Sequence, residues 1–226
     1  MRSLEELVDV ADPSFPLIEE WIDDASTEVT VLPVERAAAE ATLLALQVTT
    51  RSCLGGLAYN TGGILVDDGW LRILGGGSPQ LPRSLASWNK IGEPEVRIPG
   101  AMLVGDDVLG GFFAVDGGAF GKRDGKVWYL SPDTLAWECL DLGHTDWLNW
   151  AITGGIEGFY EKMRWPGWEK EVAALGPDQV ILSYPFLWAD GPPIAERSRK
   201  AVPLDEIWTM QLDLKRQLVQ PQGAPS

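Results

Sequence analysis

Apolar residues recur every three or four positions in the N-terminal part of this chain, which is the period of an amphipathic helix. One such stripe consists of Ile18, Trp21, Ile22 and Ala25. Before this stripe, Ser3 and Glu6 have the spacing of a capping box. The later run ERAAAEATLLALQ is rich in alanine and leucine, which have high helix propensity. We therefore predict that helices form most of the N-terminal part.

From Thr49 the period changes to two, which is typical of β-strands. The segment LGGLAYNTGGILVDDGWLRILGGG predicts three strands joined by turns at residues 60–63 and 67–69. Further strands are predicted in AMLVGDDVLGGFFAVDGGAFG, GKVWYLS and DTLAWECLDL. Turns are predicted at Asp106-Asp107 and at residues 116–118. Hairpin turns join antiparallel neighbours, so the pattern predicts a mostly antiparallel sheet.

Helical spacing returns after Gly143, where Thr145 is placed to cap a helix that extends to about Met163. A short helix, a strand in QVILSYPFLW and a helix in PLDEIWTMQLDLKRQL follow. We find no internal repeat and no linker. The prediction is one α+β domain over residues 1–219, with a mostly antiparallel central sheet flanked by N-terminal and C-terminal helices. Residues 220–226 are predicted to be a disordered tail.

The chain is strongly acidic, with a net charge of −15 and a pI near 4.4. This charge argues against nucleic acid as a partner, because phosphate contacts need a basic face. It favours a basic protein as a partner, because opposite charges steer association. The acidity is concentrated at the start, since residues 1–40 contain eleven acidic and two basic residues.

Two groups of carboxylates are candidates for contact with a basic partner. They are Glu19, Glu20, Asp23 and Asp24 on the polar side of the second helix, and Asp106, Asp107 and Asp116 at predicted turns. For the first group, a solvated helical surface without a partner is the alternative interpretation.

The residue types of common catalytic and metal sites are scarce. The one histidine, His144, rules out metal sites built on several histidines, and we expect it at the surface or at a helix cap. The two cysteines, Cys53 and Cys139, have neither metal-binding nor redox spacing. LGGGS lacks the lysine and the spacing of a phosphate-binding loop. We therefore predict no cofactor, no metal ion and no catalytic residue.

A ligand pocket is the alternative to a protein-binding surface. Arg51 and Arg72 lie in the region predicted to be β-sheet, where they can bind an anion. Trp165, Trp168 and Trp188 lie near proline or glycine, and exposed tryptophan rings offer faces on which a sugar can stack. Most of the eleven tryptophans are expected in the core.

The location of the protein is also open to prediction. The acidic start MRSLEELVDVADPS has no apolar core, so we expect no secretory leader. No apolar run reaches 18 residues, so we predict no transmembrane helix and no membrane partner. We also expect both cysteines to be reduced and buried, and the chain to be cytoplasmic.

The segment GGFFAVDGGAFGKRDGKVWYLSPDTLAWECLDLGHTDWLNWAI, residues 110–152, resembles the SUKH superfamily in its succession VWYLSPDTLAWE and DWLNW. Many SUKH proteins are bacterial immunity proteins that neutralise toxins. This resemblance implies a SUKH-like fold and a toxin as partner. Nearly the whole chain, including SLEELVDVADPSFPLIEEWI, RWPGWEKEV and YPFLW, resembles a bacterial family described as a domain of unknown function (family 2625). That second resemblance implies no catalytic residues.

Three functions remain open at this point. The first is a protein-binding module, such as a toxin-neutralising immunity protein. The second is a protein that binds a small molecule or a carbohydrate in a tryptophan-lined pocket, including a hydrolase. The third is an oligomeric scaffold without a ligand. The sequence leaves the oligomeric state open.

Overall fold

A seven-stranded antiparallel sheet forms the centre of the fold, and its strands lie side by side in chain order. The computed structural model describes residues 1–9, 11–121 and 123–219. The strands of the sheet are β1 (Val29–Leu32), β2 (Gly63–Val66), β3 (Leu71–Leu74), β4 (Ala101–Asp107), β5 (Phe112–Asp116), β6 (Lys126–Leu130) and β7 (Trp137–Gly143). A separate antiparallel pair consists of β8 (Gln179–Tyr184) and β9 (Ser198–Pro203).

Nine α-helices occur within the described residues. They are α1 (Leu4–Leu7), α2 (Phe15–Asp23), α3 (Arg36–Leu46), α4 (Cys53–Asn60), α5 (Leu85–Trp88), α6 (His144–Ile152), α7 (Gly155–Tyr160), α8 (Trp168–Ala173) and α9 (Leu204–Val219). Single turns of 3-10 helix cover Glu161–Met163 and Ile194–Glu196. Gly154 separates α6 from α7 with a φ of +105°, a conformation that favours glycine.

The predicted fold class is confirmed, because one antiparallel sheet is flanked by N-terminal and C-terminal helices. The capping box of α1 is present as well. The Ser3 side chain accepts the N–H of Glu6, and the Glu6 carboxylate accepts the N–H of Ser3 at 2.7 Å. The domain limits stay a prediction, and the predicted tail over residues 220–226 lies outside the described residues.

The prediction of a strand in LGGLAYN is wrong, because these residues belong to α4. Ser52 caps this helix, and its Oγ accepts the N–H of Gly55 at 3.1 Å. Most of α4 is buried, so the helix has no continuous polar face to reveal its period in the sequence. Close packing explains why α4 contains glycine. A Cβ at Gly55 would lie 2.1 Å from the carbonyl oxygen of Thr49.

Two details of the C-terminal half also differ from prediction. Gly143, not Thr145, is the N-cap residue of α6, and no side chain caps this helix. The sequence of β9 does not alternate between apolar and polar residues. Only Val202 of this strand is buried, so the other positions need no apolar side chain. Exposed strands of this kind show no alternation of apolar and polar residues.

Both faces of the central sheet are covered. On one face, Phe113 of β5 contacts Trp147 of α6, with ring centroids 5.2 Å apart. On the other face, Phe112 contacts Trp208 of α9, with centroids 4.9 Å apart. Successive residues of a strand point to opposite faces. The helices α6 and α9 therefore lie on opposite sides of the sheet.

β4 contains one extra residue relative to β5. Leu103 pairs with Ala114 and Gly105 pairs with Phe113, so Val104 is the extra residue. A bulge of this kind changes the direction in which the following side chains point. Here the residues that follow are two adjacent acids at the end of β4.

The first of these acids, Asp106, is fully buried and binds two arginines. Arg72 donates from Nε to Oδ1 at 2.7 Å, and Arg83 donates from Nη2 to Oδ2 at 2.8 Å. Both arginines also reach the segment that begins β8. Arg72 donates to the carbonyl oxygen of Gln179 at 2.7 Å, and Arg83 pairs with Asp178. Asp106 therefore attaches β8 to the sheet through two guanidinium groups.

The second acid, Asp107, binds groups on the opposite face. Its Oδ1 accepts the N–H groups of Leu109 and Gly111 at 2.8 and 2.9 Å. Its Oδ2 accepts the hydroxyls of Tyr129 and Tyr160 at 2.7 and 3.0 Å. Burial raises the pKa of Asp107, and these four donors oppose that effect. Because Tyr160 ends α7, this carboxylate attaches α7 to the sheet.

We predict that Asp106→Asn lowers the free energy of unfolding by about 3–5 kcal/mol, because it removes the carboxylate partner of buried Arg72 and leaves buried Arg83 with the exposed Asp178 alone. Urea denaturation followed by circular dichroism measures this change. The matched control is Asp12→Asn, which removes an ion pair with Arg51 whose two side chains are both exposed. That pair is expected to contribute about 1 kcal/mol or less. Equal losses in the two variants would contradict the role given to Asp106.

Candidate functional site

The helix α2 presents a row of carboxylates to solvent. Glu19, Glu20 and Asp23 are exposed, as is Asp24 directly after the helix. Ile18 is fully buried. The orientation agrees with the amphipathic pattern, and the helix contains neither lysine nor arginine. A cation that approaches this face therefore meets several negative charges and no competing positive charge on the same helix.

Carboxylates from three other segments lie beside α2. The hydroxyl of Ser26, just after the helix, lies 3.5 Å from a carboxylate oxygen of Glu157 in α7. The carbonyl oxygen of Glu28 accepts the N–H of Asp67, in the turn between β2 and β3, at 2.7 Å. We define the acidic surface as the exposed residues Glu19, Glu20, Asp23, Asp24, Glu28, Asp68 and Glu157.

The pKa of Asp67, in the turn between β2 and β3, is raised above its ordinary value chiefly by burial. The charges of Asp68, Glu157 and Glu169 raise this pKa further. Arg164, which forms an ion pair with Asp67, acts in the opposite direction. The carboxylates of Asp68 and Glu157 therefore lie close enough to Asp67 to act on its ionisation.

The turn acids do not belong to the acidic surface, and their predicted surface position is wrong. Asp106 and Asp107 have no exposed area, and Asp116 at the end of β5 is 2% exposed. Burial opposes the ionisation of Asp116, but N–H groups that include those of Phe120 and Gly118 donate to its carboxylate and lower its pKa. These three acids stabilise the fold.

Many of the arginines also have internal partners. The buried and half-buried arginines are Arg72, Arg83, Arg97, Arg164, Arg197 and Arg199. Each binds a carboxylate or a backbone carbonyl group of another segment. Their positive charges therefore hold segments of the chain together.

The two arginines predicted to bind an anion are not brought together. Arg51 is exposed just before α4, outside the sheet, and pairs with Asp12 at 2.9 Å. Arg72 is buried in β3, where Asp106 neutralises it. Because each guanidinium already has its own carboxylate, the two do not form a shared anion site.

The predicted tryptophan pocket is not assembled either. Trp165 and Trp168 are buried, with ring centroids 5.7 and 4.9 Å from that of Trp70. Their predicted exposure is therefore wrong. Trp188 is half-buried and stacks on Phe186, with centroids 5.4 Å apart. These tryptophans belong to two separate clusters and offer no common platform.

An open groove of about 760 Å³ lies between α3, residues 76–79 and α5. Prolines, alanines and the backbone of two glycines form much of its wall, and Glu35 is its one charged residue. The hydroxyls of Ser78, Ser84 and Ser87 already make hydrogen bonds within the protein. These three hydroxyls are therefore not free to converge on a ligand, as the polar groups of a typical small-molecule site do.

Within the described residues, no group of three or more histidine, cysteine, aspartate or glutamate side chains is arranged to hold a metal ion. No helix in this part of the chain has both the length and the apolar character needed to cross a bilayer. Both cysteines are free, with Cys53 buried and Cys139 half-buried.

His144, at the start of α6, is half-buried and provides no cap, so its predicted position is wrong. Its ring centroid lies 5.8 Å from that of Trp147. Its Nε2 is enclosed and has no hydrogen-bond partner among the described residues. Burial lowers the pKa of His144 from 6.5 to about 4. The folded state therefore favours the neutral imidazole.

We predict that His144 makes stability depend on pH between 6.5 and 4. Because its pKa is lower in the folded state, its contribution is fully present above pH 6.5 and is lost as the pH falls towards 4. The loss is at most about 3 kcal/mol. His144→Phe keeps an aromatic ring and removes the titration. Urea denaturation of both proteins from pH 7 to pH 4 measures the difference, and parallel pH profiles would contradict the prediction.

The chain is similar to two bacterial proteins over most of its length. The "Putative uncharacterized protein YbfG" of Escherichia coli (strain K12) is 41% identical over 220 residues, which cover 97% of this chain and 100% of that protein. An "Uncharacterized protein" of Haemophilus influenzae (strain ATCC 51907 / DSM 11121 / KW20 / Rd) is 38% identical over 208 residues, 91% of each chain. No solved structure matches this chain significantly.

The resemblance to family 2625 is confirmed, whereas the SUKH resemblance gains no support from these matches and stays a prediction. The family described as "Protein of unknown function DUF2625" matches residues 4–207, from the start of α1 into α9. This match includes the acidic surface and all nine strands of the described residues. The chain therefore belongs to the DUF2625 family.

Proposed function

We propose that this chain is a protein-binding module whose acidic surface recognises a basic protein. One observation carries the proposal: α2 and the residue after it expose four carboxylates, and α2 has no basic residue. The carboxylates on adjacent segments extend this surface across the end of the helix. Charge complementarity of this kind raises the association rate and selects partners of opposite charge.

Two further features support a protein as the partner. The net charge of −15 opposes the approach of a polynucleotide, whose phosphates are also negative. Four of its seven carboxylates lie on or directly after one regular helix, whose backbone sets their spacing and suits a folded, basic face of another protein. A bacterial toxin is the partner class that we propose first, and this choice is supported by the SUKH-like stretch of the sequence.

We also propose that the protein acts in the cytoplasm. The two free cysteines support this location, because thiols stay reduced in the cytosol. An oligomeric scaffold and a carbohydrate-binding protein remain alternatives from the sequence. Neither gains a specific observation from the arrangement of the side chains described above.

The first experiment compares charge reversal at two places. One variant carries Glu19→Lys, Glu20→Lys, Asp23→Lys and Asp24→Lys. The control carries the same net change at exposed acids of other segments, through Glu93→Lys, Asp190→Lys, Glu196→Lys and Glu206→Lys. Each protein is used as bait in a host lysate at low and at high salt. We expect the unmodified chain to retain a basic protein at low salt and to release it at high salt, because salt screens exposed charges.

We expect the α2 variant to lose this partner and the control to keep most of it. Equal loss in both variants would mean that total charge, not the acidic surface, causes retention. Zero-length cross-linking of carboxylates to amines then locates the contact. Cross-links from partner lysines to Glu19, Glu20, Asp23 or Asp24 are expected, and cross-links confined to other segments would contradict the proposal.

A further inference from the structure

A cleft of about 380 Å³ between α9 and the segment after α5 differs from the rest of this acidic molecule, because three cations line it. They are Lys90, Arg97 and Arg216. The open groove beside α3 is lined by no lysine or arginine. The same holds for a narrow crevice that Leu109, Trp188 and Ile207 help to line. The volume is within the range of small-molecule sites.

Arg97 is held rigidly in this cleft, and part of its guanidinium remains available. Its Nε donates to the carbonyl oxygen of Trp88 at 2.6 Å, and its Nη1 donates to Asp205 at 2.9 Å. The guanidinium lies 3.7 Å from the centroid of the Trp88 ring and 5.5 Å from that of Trp208. Among the described residues, nothing accepts a hydrogen bond from Nη2. The cleft therefore contains a fixed donor with two unused N–H groups.

Lys90 occupies a backbone position that normally favours glycine. It follows Asn89, the C-cap residue of α5, with a φ of +56°. Its N–H donates to the carbonyl of Ser87 at 3.1 Å, and the N–H of Ile91 donates to the carbonyl of Ala86 at 3.0 Å. This is the Schellman pattern, whose left-handed residue is usually glycine.

The side chain of Lys90 gives no structural reason for this exception. It is exposed, and within the described residues it makes neither an ion pair nor a hydrogen bond. A left-handed conformation costs free energy in any residue with a Cβ. The backbone hydrogen bonds of the Schellman motif account for this conformation, and the exposed ammonium group of Lys90 has no role in them.

Two acids also line the cleft, and a third, Asp213, contacts Arg216, so three carboxylates balance the three cations. Asp205 is already bound to Arg97, and Glu95 is exposed. Arg216 contacts Asp213 at 3.4 Å, but both side chains are more than half exposed. An exposed pair of this kind is weak, so Arg216 can turn towards a stronger acceptor. Among the described residues, Lys90 and Arg216 therefore have no firm partner, and they line the same cleft as the fixed guanidinium of Arg97.

We propose that this cleft binds a small phosphorylated molecule, with its phosphoryl group on Lys90, Arg97 and Arg216. A phosphate monoester carries close to two negative charges and three acceptor oxygens, which matches three cations better than a carboxylate does. Trp208 and Leu212 form an apolar part of the cleft, where the organic part of the ligand lies. This site is independent of the acidic surface and of the proposed protein partner.

The test uses the full chain and two defined probes. Inorganic phosphate and then phenyl phosphate are titrated into the 15N-labelled protein. The chloride concentration is lowered at each addition, so that the ionic strength stays constant. We expect saturable shifts of the amide signals of Lys90, Arg97 and Thr209. Phenyl phosphate is expected to bind several-fold more tightly than inorganic phosphate, because its ring covers Trp208. Benzoate, a carboxylate of similar size, is expected to bind more weakly than phenyl phosphate.

The decisive variant is Lys90→Gly, because it separates binding from folding. Glycine relieves the left-handed strain, so the melting temperature is expected to rise. Loss of the lysine charge is expected to weaken phenyl phosphate binding at least several-fold. The control is Lys200→Ala, which removes an exposed lysine from β9 and should leave both properties unchanged.

Three outcomes would overturn the proposal. The first is the absence of saturable shifts at constant ionic strength. The second is an unchanged affinity in Lys90→Gly, which would mean that the phosphate binds elsewhere. The third is an equal loss in Lys200→Ala, which would indicate a general effect of charge. None of these outcomes bears on the acidic surface, so the two proposals can fail separately.

Discussion

Two adjacent carboxylates at the end of β4 hold the layers of this protein together. They point to opposite faces of the sheet, and each is satisfied by a different kind of donor. Asp106 binds two guanidinium groups that continue to β8, whereas Asp107 binds two backbone amides and two phenols. A buried carboxylate is costly unless donors fill its acceptor positions. The strand β8 and the helix α7 are therefore attached to the sheet at neighbouring residues.

This arrangement explains how a chain of such negative charge uses its cations. Six arginines are buried or half-buried and link segments that are distant in sequence. Planar guanidinium groups suit this role, because they bind carboxylates and carbonyls in fixed directions. Exposed carboxylates of α2 keep their charge for interactions with solvent or with a partner. The same chain thus has a helix that exposes only acidic charges, and a cleft beside α9 that is lined by three cations.

Local patterns in the sequence predict the elements whose signal lies in neighbouring residues. The stripe of α2 and the capping box of α1 are of this kind. The strands β2 to β5 are buried at most positions, and apolar runs between turn residues predict them. Buried α4 and exposed β9 lack such a pattern. In α4 nearly every side is covered, and in β9 nearly every residue is exposed.

The candidate sites depend on partners that are far away in the sequence, and most of them could not be predicted. Asp106 has its arginine partners 34 and 23 residues away, and Asp107 finds a tyrosine 53 residues away. Without those partners, two acids beside a glycine have the pattern of a surface turn. The cleft at α9 likewise combines two distant segments. Its one local signal is Lys90, which occupies a position at a helix end where glycine is favoured. The sequence does not show that this lysine has a positive φ.

The bulge at Val104 has a consequence for the pairing of β4 during folding. A slip of one residue in either direction would exchange the faces to which the following side chains point. In one direction Asp107 would reach the arginines, but Val108 would face the two phenols. In the other direction Asp106 would reach the phenols, but Gly105 would face two buried guanidinium groups. In either wrong register, one set of buried donors has no acceptor. The two neighbouring acids therefore disfavour both wrong registers.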